Sequence, residues 1–383
     1  MFVRAAMPTL GRVAPVAVAS SLTLATCAQT EGESSTKALY AVALGAGAAA
    51  AGALYASSTR CASIEDRIGA LEVKAAQKES SAFVFVKPHA VTDPVKALVK
   101  EKLCAAGVSV VSEGDIPGPV IDEKMYIDNH YGAIAEKAVV LKPAQLSPSS
   151  KAIAEFEKTF GIAWSDALAK GLVFNARDAC AKLGIDGDDL DKKWSTLKRG
   201  VTLIKFGGGF YCGRVDGLFV INGFYMSMRG KFTKPDASIH YYLVEWPTAS
   251  LSWEDFRGKV LGGTNPHEAA PGSLRKLIAD DWKKLGLSAV PDTGDNGVHA
   301  SASPFEALAE RMNWTGAALD ADTYGKGLLA AGVPAKTIAN WTSDPVVNLP
   351  GGAKGSLFDA LEDLDSNECL AKAVSLAKLN PPK

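Results

Sequence analysis

With 383 residues, 47% of them apolar, the chain is long enough to bury one large core or two modest ones, which excludes a chain disordered throughout. A formal net charge of −1 provides no global attraction for nucleic acid, and no basic stretch interleaved with aromatics supplies one locally. Six cysteines, at 27, 61, 104, 180, 212 and 369, lie far apart without a C-x-x-C pair, so neither a zinc cluster nor a disulfide framework is indicated.

Residues 1–36 read as an organellar transit peptide. Arg4 and Arg12 stand among alanine, serine and threonine, and the first 30 positions hold no acid. A lipidated export signal ending at Cys27 is the competing reading, which Thr26 fits poorly. Residues 37–60 follow as a transmembrane helix. The stretch 38–59 carries no charge between Lys37 and Arg60, and at about 1.5 Å per helical residue it matches a hydrocarbon core of roughly 30 Å. Tyr40 and Tyr55 suit the two interfaces, and Gly45, Gly47 and Gly52 suit packing against another membrane subunit. An alanine-rich linker is the alternative. The expected address is the mitochondrial inner membrane, with a plastid or another membrane as the alternative. Residues 61–80, with Ile64, Ile68, Leu71 and Val73 among charges, read as a helical stalk.

The main domain is expected over 81–314. Strand 83–87, helix 94–105, strand 108–113 and helix 122–134 make half of a split β-α-β unit, and strand 239–246, a helix capped by Ser252, strand 297–301 and helix 304–312 complete it. The fold class is α+β: a ferredoxin-like antiparallel sheet with helices on one face, enlarged by an inserted subdomain and a C-terminal helical extension. The insertion spans 143–238, with helices at 148–160, 165–183 and 188–198, a strand at 201–206 and a hairpin around 217–229. Asp186, Asp188, Asp189 and Asp191 do not sit at calcium-loop positions, and Gly207, Gly208 and Gly209 lack the Lys-Ser/Thr of a phosphate loop. Residues 315–383 form the extension, with helices near 325–341 and 355–378 about the turn at Pro350.

The chemistry gathers in Asn296, Gly297, Val298, His299, Ala300 and Ser301, followed by a helix bearing Glu306 and Glu310. A histidine in a loop of small residues with a carboxylate near it offers an open ring and an anion to orient it, as a phosphate-accepting nucleophile requires. Upstream stand Lys87 and Pro88 at a strand end, His130 and Tyr131 after a helix, Gly262, Gly263 and Thr264, and Pro271, Gly272 and Arg275.

That ordered set resembles the nucleoside diphosphate kinase family. The resemblance implies a reaction in which ATP, with Mg²⁺ on its phosphates and no metal ligand from the protein, gives its γ-phosphoryl group to His299, which passes it to a second nucleoside diphosphate. It implies a catalytic set of His299, Lys87, Glu310 and Ser301. Lys87, Tyr131, Thr264, Arg275 and Asn296 would hold the nucleotide. Where the family carries an arginine this chain has Gly258, so Arg257 or Lys259 is expected to supply that cation. His89 and Ala90 also depart from the family pattern. The resemblance implies nucleoside di- and triphosphates as partners; the uncharged run 38–59 adds a membrane and candidate subunits of a membrane complex, further copies of the chain are candidate partners, and the composition points to no nucleic acid. The rival function is a kinase-like structural subunit, without catalysis, of a respiratory or ATP synthase-type complex.

Overall fold

In the computed structural model the described residues are 63–382 apart from 208; the expected transit segment 1–36 and the uncharged run 38–59 lie outside them. Chain order begins with α1 (Ile64–Lys78), which Ser63 caps through a reciprocal Ser63–Asp66 capping box. It runs directly into β1 (Glu79–Val86), whose last five residues are all fully buried. Continuous rather than alternating apolarity is what a strand covered on both faces needs. Ala82, Val84 and Val86 face the core under α2 (Asp93–Ala105), with its Val95, Val99 and Leu103. Phe83 and Phe85 face a second core with Ile116, Ile121, Phe232 and Trp314. The sheet is therefore covered on both faces, not on one as the sequence suggested, because Ile121 and Ile127 after β2, Phe232 of the inserted segment and Trp314 supply apolar surface to the second face. Each large side chain so buried contributes about 1.5–3 kcal/mol.

The main sheet is wholly antiparallel, in the order β2 (Ser109–Pro117), β7 (Ser238–Pro247), β1, β8 (Val298–Ala300). After β2 the single helix expected over 122–134 is broken into Gly118–Glu123, α3 (Tyr126–His130) and Gly132–Ala135, with Met125 in a left-handed conformation at the break.

The inserted segment holds α4 (Ser150–Phe160) and a second sheet in the order β3 (Val173–Asn175), β6 (Leu218–Ile221), β5 (Phe210–Val215), β4 (Leu203–Gly207). Two expectations fail locally. The stretch 165–183 is not one helix, because Gly171 turns the chain at φ 63° and β-prone Val173 and Phe174 pair with β6. The hairpin lies at 210–221, turning at Asp216 and Gly217 with φ of 47° and 84°, and the chain beyond it forms a helix, α5 (Tyr225–Thr233). Ala135, Ala138 and Val139 pack with Leu190, Trp194 and Tyr225, so the inserted core starts before residue 143.

After β7 come Trp253–Asp255, a π-helical turn at Phe256–Leu261, and α6 (Leu274–Asp280). Beyond β8 lie α7 (Pro304–Thr315), α8 (Thr323–Ala330), Ala335–Trp341, the pair β9 (Val346–Asn348) and β10 (Lys354–Ser356), the short helix Leu357–Leu361 and α9 (Ser366–Leu379). The extension is thus not wholly helical. Gly332 and Pro334 divide its first expected helix, and Asp363, at φ 59°, divides its second. The expected stalk lies on this extension. Ala76 shares a core with Phe305, Leu328 and Leu370, and a Cβ added at Gly327 would lie 2.2 Å from that of Ala76. No helix among the described residues is long and apolar enough to cross a membrane.

Candidate functional site

Edge strand β8 carries His299 and β1 carries its cross-strand partner Phe85. The two rings stack with centroids 4.7 Å apart, so the imidazole is fixed against an aromatic wall. Gly297, at φ 88°, makes the turn into the strand, where a Cβ would press on Ile278 at 3.0 Å. Its carbonyl accepts the backbone N–H of Lys87 at 2.9 Å, which ties the lysine to the histidine loop.

Glu310, one turn from the end of α7 and 4% exposed, meets the ring from the other side. His299 Nε2 lies 2.6 Å from Glu310 Oε1, and Ser301 Oγ donates to Oε2. Ser301 in turn accepts the Phe83 N–H at 3.1 Å, so the carboxylate is referenced to the central strand. Burial pushes the Glu310 carboxyl up to about 7, against the opposing effects of His130, Ser301 and Arg311. Burial, then the charges of Lys87, Arg275 and Arg257, holds His299 well below the usual imidazole range. The ring is therefore neutral at neutral pH. With Nε2–H directed at the carboxylate, Nδ1 keeps its lone pair and has no hydrogen-bond partner among the described residues.

Two cations border this ring. Lys87 Nζ donates to the Gly294 carbonyl at 3.0 Å, and burial, then Arg275, lowers the ammonium to about 8. Arg275 donates through Nε to the Val298 carbonyl at 3.0 Å and through Nη1 to the Gly262 carbonyl at 2.8 Å. Burial and then Arg257 lower it to about 10. Gly262, at φ 91°, cannot be replaced without a clash, since a Cβ would lie 2.3 Å from Ser273 Oγ. Among the described residues neither cation forms an ion pair with a carboxylate. Asn296, 2% exposed, donates to the Thr264 carbonyl at 3.0 Å, while its Oδ1 is buried without a partner among the described residues. A buried acceptor left unmade costs about 1–3 kcal/mol, which a ligand hydroxyl would recover.

The other expected residues fall less tightly. Thr264 is exposed, and only its carbonyl is engaged. Tyr131 stands edge-on to His130 at 4.8 Å, and burial, then Glu310 and Glu306, pushes its hydroxyl up to about 12. Arg257 and Lys259 separate clearly. Arg257 Nη1 holds Asp363 at 2.6 Å and Glu362 at 2.7 Å, and its charge reaches His299 and Arg275. Lys259 is exposed and pairs with Asp255 at 2.8 Å, one helical turn away, so it does not reach the ring.

Several members of the site were not expected from sequence. His130 places Nδ1 3.3 Å from Glu310 Oε1, and its ring stands edge-on to His299 at 4.7 Å. Burial, then His299, lowers it to about 4. The His130-Tyr131 dipeptide was visible, but which of the two would touch the carboxylate was not. Glu362 and Asp363 carried no signal, since they reach Arg257 from 105 and 106 residues away along the chain. An open cavity of about 840 Å³ lies behind Glu310, lined by His130, Glu306, Glu310, Asn313, Asp344 and Phe358 among others.

No protein-family model matches the chain, and no curated protein sequence matches it. Among solved structures, an NDP kinase from Pyrobaculum aerophilum is similar at 18% identity, over 62% of this chain and 95% of that one, with a TM-score of 0.31. A likeness that weak carries no functional weight by itself, and the side-chain geometry has to stand alone.

Proposed function

We propose that this chain is a phosphotransferase of the nucleoside diphosphate kinase kind, with the ferredoxin-like sheet that the strand order β2-β7-β1-β8 suggests. The observation that carries this reading is the pairing of Lys87 and Arg275, two half-buried cations hydrogen-bonded only to carbonyls, with an imidazole whose far nitrogen is tied to Glu310. Two half-buried cations with no carboxylate in direct contact repel one another, and an anion bound by both offsets that repulsion. Phosphoryl transfer asks for little more than positioning and such charge stabilisation.

In this mechanism a nucleoside triphosphate, carried with Mg²⁺ on its phosphates, presents its γ-phosphorus to His299 Nδ1. The N–P bond forms as the bond to the β-γ bridging oxygen breaks, and the nucleoside diphosphate leaves with that electron pair. Glu310 stabilises the positive charge developing on the ring through the Nε2 proton. The reverse step onto a second diphosphate restores the free histidine. Lys87 and Arg275 hold the transferring oxygens, and the free Oδ1 of Asn296 accepts a sugar hydroxyl. Thr264 and Tyr131 are further nucleotide contacts in this reading, and Arg257 is the nearby cation.

Incubation with labelled Mg-ATP, followed by acid and base treatment, tests the proposal. Phosphorylation that is stable to base, labile to acid and absent in His299→Ala is expected. Label that survives this substitution, or no label on a folded chain, would overturn it, and the second outcome would favour the rival reading of a kinase-like structural subunit.

A further inference from the structure

We propose that His130, His299 and Glu310 form a binding site for one zinc-class divalent cation, and that its occupation excludes phosphoryl acceptance by His299. Their ligand atoms all lie within 4.8 Å of one another: His130 Nδ1 is 3.3 Å and His299 Nε2 2.6 Å from Glu310 Oε1. Two imidazoles and a carboxylate are the protein ligand set of open tetrahedral zinc sites, which keep the fourth position for water or a ligand. The fourth position is available here, because His130 and Glu310 also line the open 840 Å³ cavity. The expectation that the protein offers no metal ligand came from the family resemblance, and residues 130 and 310 are too far apart along the chain for spacing to show that they converge.

Two groups other than His299 converge on this ligand set at His130 Nδ1. Trp314 Nε1, whose only option is to donate, lies 3.4 Å from His130 Nδ1, and Glu310 Oε1 lies 3.3 Å from that same nitrogen. If Nδ1 carries a proton for the carboxylate, the indole N–H faces another donor. If it does not, a nitrogen lone pair faces a carboxylate oxygen that His299 Nε2 also approaches. A cation seated among the three ligand atoms takes one lone pair from each, and at His130 Nδ1 it displaces the indole N–H from the lone pair that otherwise accepts it.

The consequence for His299 follows from its tautomers. A neutral imidazole carries one ring proton, so metal binding at Nε2 moves that proton to Nδ1. Nδ1 then has no lone pair with which to attack phosphorus. Glu310 binds the cation as a carboxylate and no longer receives the Nε2 proton. This consequence, unlike the site itself, rests on the phosphotransfer reading above.

The test is titration of the full chain with Zn²⁺ against a chromophoric chelator, with Co²⁺ as a spectroscopic substitute. One zinc per chain is expected, together with visible absorption from cobalt in a four- or five-coordinate nitrogen-oxygen site. His130→Ala, His130→Asn and Glu310→Gln should each weaken binding by about tenfold or more, while His267→Ala, at a histidine bonded to the Pro291 carbonyl away from the site, should leave it unchanged. Wild type taking up no zinc, or both folded His130 variants binding as wild type does, overturns the site. Labelling with Mg-ATP is then measured with and without zinc, and saturating zinc should abolish it until a chelator is added. Zinc uptake without any labelling sinks the phosphotransfer reading and leaves the metal site standing; labelling without zinc uptake does the reverse; labelling unaffected by bound zinc overturns the exclusion.

Discussion

Glu310 Oε1 and His299 Nε2 lie 2.6 Å apart across the end of the main sheet, and when the carboxyl is ionised this contact draws the ring proton to Nε2. One is held by the carboxylate, and the other keeps a lone pair. Replacing Glu310 by glutamine preserves the shape but removes the charge that supports an imidazolium-like ring. Phosphohistidine formation should slow by about a hundredfold, in the range of lost acid-base assistance. Rapid-quench labelling of Glu310→Gln checks this, and a rate within threefold of wild type would remove Glu310 from the mechanism.

The activity should follow a bell-shaped pH profile. The Glu310 carboxyl is raised to about 7, and while protonated it donates to Nε2 and forces the ring proton onto Nδ1. Activity therefore rises as pH passes through that value. Lys87 is lowered to about 8, and losing its proton removes a phosphate-holding charge, so activity falls above that point. Single-turnover rates between pH 5.5 and 9.5 give both limbs. A rate independent of pH below 8 would exclude the role given to Glu310.

Gly258 stands where the resembled family has an arginine, and a Cβ placed there meets nothing within 4 Å. Gly258→Arg should then fold as wild type and add a cation beside the site. The KM for nucleotide should fall by about tenfold, the scale of one phosphate-stabilising charge. Unchanged steady-state kinetics in a folded variant would indicate that position 258 does not overlook the phosphates.

Arg257 is held by Glu362 and Asp363, two carboxylates that also bring negative charge toward an anion site. Glu362→Gln with Asp363→Asn frees the guanidinium and removes two like charges, so nucleotide KM should drop about tenfold. Adding Arg257→Ala to that pair should cancel the gain. Weaker nucleotide binding in the double variant would instead assign the carboxylates a positioning role for Arg257.

A last prediction concerns the N-terminal region. Because Ala76 and Ser80 are buried, with Ser80 Oγ 3.1 Å from Ser366 Oγ, a chain starting at residue 81 loses part of its core. A chain starting at Ser63 should melt as the longer form does, whereas one starting at Ser81 should melt several degrees lower, as a loss of about 2–3 kcal/mol implies. Residues 38–59 carry the proposal of a membrane attachment, and carbonate washing of the longer form tests it: release into the supernatant argues against a span.

Much of the chain was legible because local chemistry and tertiary structure agree there. Phe83 to Val86 read as a buried strand, Thr92 and Pro94 open a helix, and His299, Ser301 and Glu310 sit at short separations along the chain, where a strand and the helix after it meet. Lys87, Arg275 and Asn296 were named from motif order, and the structure brings them to the same end of the sheet. The boundaries failed where a glycine or a left-handed residue interrupts apolar periodicity, at Gly171, Met125 and Asp363. Spacing cannot register such a break, because the side chains on either side continue the same pattern.

The sequence by itself therefore determined the α+β layout and the strand-to-helix spacing that joins His299, Ser301 and Glu310, since each depends on neighbours within a few turns of chain. Only the tertiary structure decided that Arg257 and not Lys259 lies near the ring, that the C-terminal extension reaches Arg257, and that His130 shares the carboxylate of Glu310. The carboxylate contacts of Arg257 and His130 join residues about a hundred or more positions apart. They are fixed by how the short helix at 126–130, α7 and the turn at 362–363 pack over the sheet, a result of the whole buried surface that no local pattern encodes.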